Sequence, residues 1–166
     1  MDIFEFALEK EQFSLDYYEQ LKNKTNNKGL SNIFSMLADE EKKHVEVVKQ
    51  MQQQTPQTVS ETNVLGNATA IFEKMRDSMQ TFDDDLGEVE LYEKARDIEE
   101  KARQFYLEKA EVVTNESHRQ IFRKLADEEQ KHFLLLERIC DFVARPRWFL
   151  ENAEMYRFDD YAGGAL

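Results

Sequence analysis

At 166 residues, with 34% charged and 41% apolar positions, five glycines and two prolines, the composition is that of one domain of long helices. It fits neither a sheet protein nor a disordered tail. A formal net charge of −12 argues against a nucleic-acid partner, because phosphate binding needs a basic footprint. With Cys140 as its one cysteine and no CxxC, the chain excludes an internal disulfide, a zinc ribbon and a four-cysteine iron centre of its own.

The first helix is expected from about Asp2 to Asn23. Phe4, Ala7, Glu11, Ser14, Tyr18 and Leu21 recur at alternating steps of three and four, the spacing of a bundle seam. The polar stretch Thr25-Asn26-Asn27-Lys28-Gly29 suits the turn of an antiparallel helix hairpin. A second helix is expected from about Leu30 to Gln53, with Leu30, Phe34, Leu37, Glu41, His44, Val48 and Met51 on its seam. It stops in the glutamine run before Pro56.

Thr55 to Asn67 reads as a loop, and Ala68 to about Gln80 as a short amphipathic helix carrying Ile71, Phe72, Met75 and Met79. Asp83, Asp84 and Asp85 suit the start of the next helix, where the dipole favours negative charge. A connection of this length can cross a bundle end to end. The third long helix spans about Glu88 to Val113, with Tyr92, Ala95, Glu99, Ala102 and Tyr106 on one stripe. The fourth spans about Ser117 to Ala144, with Phe122, Leu125, Glu129, His132, Leu136 and Ile139, and ends at Arg145-Pro146.

Residues 1–145 are thus expected to form the bundle, and 146–166 a short C-terminal helix or tail. The tail carries Trp148, Phe149, Met155, Tyr156, Phe158 and Tyr161. So much aromatic area is expected to pack on the bundle or on a second subunit, and a homodimer is expected. There is no secretory signal pattern and no apolar run of the roughly 20 residues a membrane span needs, so a soluble cytoplasmic protein is expected.

The two halves repeat at a constant offset. LADEEKKH (Leu37 to His44) recurs as LADEEQKH (Leu125 to His132), and 88 residues separate Glu11 from Glu99, Glu41 from Glu129 and His44 from His132. The same offset pairs Ala7 with Ala95, Tyr18 with Tyr106, Phe34 with Phe122 and Leu37 with Leu125. A duplicated hairpin explains why the apolar seam recurs. It does not require the ionisable residues on that seam to recur as well.

Residues three apart share one helix face, so each Glu-x-x-His can aim both side chains at one spot. Ferritin-like four-helix bundles build a dinuclear carboxylate site from one Glu on each of two helices and one Glu-x-x-His on each of the other two. Glu11, Glu41, His44, Glu99, Glu129 and His132 supply that set. Carboxylate and imidazole suit iron or manganese, and four carboxylates balance the charge of two divalent ions. A single Glu-x-x-His on a charged helix is ordinarily a solvated face; two in register on inward stripes are not.

Tyr18 and Tyr106 lie seven residues beyond Glu11 and Glu99, and read either as core aromatics or as hydrogen-bond partners of a ligand carboxylate. Glu40 and Glu128 read as surface residues, with the alternative that each orients a histidine. His118 reads as structural, and Met36, Met51, Met75 and Met79 as core filler.

On A-x-x-x-E-x-x-x-x-x-x-Y followed about 30 residues later by E-x-x-H, twice, the chain resembles the rubrerythrin-like branch of the ferritin-like superfamily. The resemblance covers Ala7 to His44 and Ala95 to His132. It implies two irons, with manganese or a mixed pair as alternatives, bridged by Glu41 and Glu129 or equivalent carboxylates. It also implies reduction of hydrogen peroxide, with Tyr18 or Tyr106 holding the bound oxygen species. Two departures stand out. Rubrerythrins proper carry an iron–sulfur rubredoxin domain, which one cysteine cannot build, so electrons would come from an external donor such as a rubredoxin-type protein. They also carry a further Glu three residues after the third-helix ligand, where this chain has Ala102.

The leading expectation is therefore a di-iron peroxidase. An iron-handling protein that oxidises Fe(II) with dioxygen uses the same six ligands, and a metal-stabilised helical interaction module is a third reading.

Overall fold

Every long helix whose start is described opens on a side-chain cap. Asp2 Oδ1 accepts from the amides of Phe4 and Glu5 at 2.7 and 2.8 Å, and Glu5 Oε2 accepts from the Asp2 amide, a reciprocal capping box that starts α1 (Ile3–Lys24). Asn27 Oδ1 accepts from the Leu30 amide at 2.9 Å and opens α2 (Lys28–Gln52). After α3 (Val64–Asp77) and α4 (Val89–Val112), Asn115 Oδ1 accepts from His118 at 3.1 Å and opens α5 (Glu116–Ala144). Pro146 then begins the short α6 (Pro146–Glu151). The computed structural model describes residues 2–54, 59–77 and 89–152.

Among the described residues every secondary-structure element is a helix, as expected. α1 packs chiefly on α2, and α4 chiefly on α5. The repeat is structural down to the hairpin latches. Ser31 Oγ donates to the Lys22 carbonyl at 3.2 Å, and Arg119 Nε, at the matching position, donates to the Ala110 carbonyl at 3.1 Å. Phe34 stacks on Tyr92 at 5.4 Å, and their counterparts Phe122 and Phe4 stack at 6.3 Å.

The apolar core falls into two clusters. One holds Leu30, Phe34, Leu37 and Tyr92 with the ends of α5 and α6; the other holds Ala7, Val48, Tyr106, Phe122 and Leu125. α3 starts at Val64, four residues before the expected Ala68, because Val64 and Leu65 also bury themselves in the first cluster. Phe149 and Leu150 of α6 are buried too, with Phe149 5.0 Å from Phe72 and 5.6 Å from Phe142. Trp148 stays partly exposed beside Arg145. Met51 and Met75 are core filler, as expected, one in each cluster, and Met36 is partly buried against the first cluster. Met79, the run Asp83 to Asp85, and Met155, Tyr156, Phe158 and Tyr161 lie outside the described residues.

Candidate metal centre

A layer of ionisable side chains lies in the bundle interior with the apolar clusters around it. Glu11 comes from α1, Glu41 and His44 from α2, Glu99 from α4, and Glu129 and His132 from α5. None is more than 3% exposed. The three-residue spacing on α2 and α5 places each histidine beside its own glutamate: His44 Nδ1 is 3.5 Å from Glu41, and His132 Nδ1 is 3.4 Å from Glu129. The shorter contacts cross between hairpins. His44 Nδ1 lies 3.0 Å from Glu129 Oε1, and His132 Nδ1 lies 2.9 Å from Glu41 Oε1. Glu11 and Glu99 close the two ends, 3.6 and 3.7 Å from His44 and His132. The two imidazoles are nearly parallel, 5.6 Å apart with 11° between planes.

The six residues fall into two donor groups, Glu11–Glu41–His44–Glu129 and Glu41–Glu99–Glu129–His132. Glu41 and Glu129 belong to both, the position of carboxylates shared between two metals. All six residues singled out in the sequence are thus brought together.

The phenols decide between the two readings of the tyrosines, and both hold. Tyr18 and Tyr106 are buried core aromatics, and each donates to a carboxylate of the layer. The pairing crosses between hairpins: Tyr18 Oη donates to Glu99 Oε1, and Tyr106 Oη donates to Glu11 Oε1. Burial, then the neighbouring carboxylates, push both phenols well above the ordinary tyrosine range, so they remain donors.

The donor set fits a pair of divalent cations. Glu41 Oε2, Glu99 Oε2, Glu129 Oε2 and His132 Nε2 are buried with no hydrogen-bond partner, an unfavourable state for polar atoms without a ligand. Burial and the carboxylates around them push Glu41 and Glu99 up to about 8. Burial alone would lower both histidines, but the facing carboxylates, through charge and hydrogen bonds, hold them well above the ordinary imidazole range. Burial also opposes ionisation of Glu11, yet the hydrogen bond from Glu41 and the His44 charge bring it down to about 2. Glu41, Glu99, His44 and His132 therefore each retain a proton near neutrality. Four protons carry the charge of two divalent ions.

Glu40 and Glu128 are not the surface residues expected. The buried faces of α2 and α5 are wider than one seam, taking in Ile33, Ala38 and Val47 as well, and Glu40 and Glu128 fall within them. Neither orients a histidine. Glu40 accepts from Lys43 at 3.0 Å. Glu128 accepts from Lys131 at 2.8 Å and from Thr62 Oγ1 at 2.6 Å, tying the stretch before α3 to α5. Their recurrence at the 88-residue offset was the signal available in the sequence. His118 stands apart from the layer, edge-on to Phe4 at 5.4 Å, in the structural role expected.

Comparison with known proteins agrees with this geometry. A solved structure of a hypothetical protein from Pyrococcus furiosus superposes with a TM-score of 0.63 at 21% identity, over 86% of this chain and 89% of that one, a likeness of fold. No curated protein matches the chain. The family model described as Rubrerythrin matches residues 2–140, a span that contains all six ligand candidates and both tyrosines. The chain belongs to the rubrerythrin family.

Proposed function

We propose that this protein is a di-iron oxidoreductase that reduces hydrogen peroxide to water, drawing electrons from an external donor of rubredoxin type in the cytoplasm. One observation carries the reading: two buried donor groups share Glu41 and Glu129. Two irons bound there would supply one electron each for cleavage of the peroxide bond.

The chain's own residues set the conditions. Glu41 and Glu129, which belong to both donor groups, would be shared between the two irons, with His44 joining Glu11 at one position and His132 joining Glu99 at the other. Glu11 and Glu99 would serve one position each, and Tyr106 and Tyr18 hold their carboxylates in orientation. The phenols keep protons at the two ends of the layer, and the surrounding core excludes bulk water.

Stopped-flow oxidation of the diferrous protein tests the proposal. Peroxide is expected to oxidise it faster than dioxygen does, with turnover on addition of reduced rubredoxin. Equal or faster reaction with dioxygen, with ferric iron accumulating beyond two per chain, would favour iron handling in its place.

A further inference from the structure

A groove of about 210 Å³ lies between α1 and α4. Its floor is Ser14 and Ala102, which are buried small residues at the same position of the two hairpins. Each sits three residues beyond Glu11 or Glu99, so the floor is one helical turn from the ionisable layer. The walls are Phe6, Phe13 and Ile98, and the two phenylalanines are 42% and 53% exposed, unusual for rings of that size.

Two lysines stand at the rim, Lys10 and Lys101. Lys10 Nζ lies 5.0 Å from the Phe6 ring and 5.6 Å from the Phe105 ring. Among the described residues neither ammonium is ion-paired with a carboxylate, whereas Lys22, Lys42, Lys43 and Lys131 all are. Among the described residues the exposed Glu9 is the one acid lining the groove. A molecule with a net charge of −12 thus presents a locally positive mouth over an aromatic slot.

We propose that this groove binds a small aromatic monocarboxylate, its ring between Phe6 and Phe13 and its carboxylate between Lys10 and Lys101. The size is right: an apolar cavity of about 150 Å³ already holds benzene. Ring-on-ring packing and charge-assisted hydrogen bonds account for the two halves of the ligand. The site is separate from the metal centre, and occupancy of either does not require the other.

Benzoate is the probe, titrated calorimetrically into the protein as purified and again after chelation of metal. Binding is expected in both forms, at least about tenfold tighter than benzyl alcohol, which lacks the charge. Binding that disappears on chelation would place benzoate on the metal and overturn the proposal, while leaving the metal assignment intact. K10M/K101M is expected to bring benzoate down to the affinity of benzyl alcohol, and A102F to abolish binding of both. K10M/K101M binding benzoate as before would overturn the proposal even where A102F fails to fold. So would a dimer that A102F dissociates, because a second copy would then be what covers the groove.

Discussion

Tyr18 donates its phenolic hydrogen bond to Glu99, a carboxylate on the other hairpin and 81 residues away in the chain, and Tyr106 returns the same bond to Glu11. Each hairpin orients the end carboxylate of its twin. Tyr18→Phe and Tyr106→Phe are expected to fold, to lose about 1.5–3 kcal/mol of stability, and to bind metal about 10–100-fold more weakly. Chemical denaturation and a competitive chelator titration check both figures. With metal loaded, when Glu11 and Glu99 would both be ionised, the two substitutions should behave alike; in chelated protein Tyr106→Phe should cost more, because Glu11 is the ionised acceptor and Glu99 is pushed up to about 8.

The shared and unshared carboxylates are expected to differ. Glu41→Ala or Glu129→Ala removes a donor from both groups, and metal content should collapse at both positions. Glu11→Ala or Glu99→Ala touches one group only, and one metal position should survive. Metal analysis of purified variants separates the two classes.

Metal-free protein has a definite pH dependence. Glu41 and Glu99 rise from 4.5 to about 8 on folding, so the folded chain holds more protons than the unfolded one within that window. Stability is therefore greatest at its acid end and falls as pH rises through it. The histidines, raised from 6.5, act in the same direction at the upper end. Glu11, lowered to about 2, works the other way, and its contribution is lost only as pH falls below 4.5. The melting temperature of chelated protein is expected to fall between about pH 5 and about pH 8. Loading two divalent ions should remove that slope and release about four protons per chain near neutrality, measurable with an indicator dye.

Thr62→Val breaks the bond to Glu128 without touching the ligand set. It is expected to cost about 1–2 kcal/mol and to speed amide exchange over the first turn of α3, with metal content unchanged.

The ionisable layer was legible because a repeat separates two reasons for a residue to recur. Leu37 and Leu125 recur because any bundle needs them. Glu41 and Glu129 occupy the same kind of inward position, where an uncompensated carboxylate is costly, so their recurrence points to a ligand. The hairpins followed from seam spacing and short polar turns. What the spacing could not show was pairing across the bundle. Nothing in the order of residues says that Tyr18 reaches Glu99 and not Glu11, because that depends on how two hairpins face each other. The burial of Glu40 and Glu128 escapes the spacing for a related reason: a single seam understates how much of a helix is covered when it has neighbours on several sides. Val64 and Leu65 fall in the stretch Thr55 to Asn67 that reads as a loop, and only their tertiary burial draws them into α3.

Crosswise bonding leaves each half of the molecule chemically unfinished. One hairpin alone would carry two carboxylates and an imidazole with no counterpart, and a phenol with nothing to hold. Its natural complement is another hairpin of the same design, which the other half of the chain supplies. The two halves, produced as separate polypeptides, should accordingly find one another and rebuild the centre.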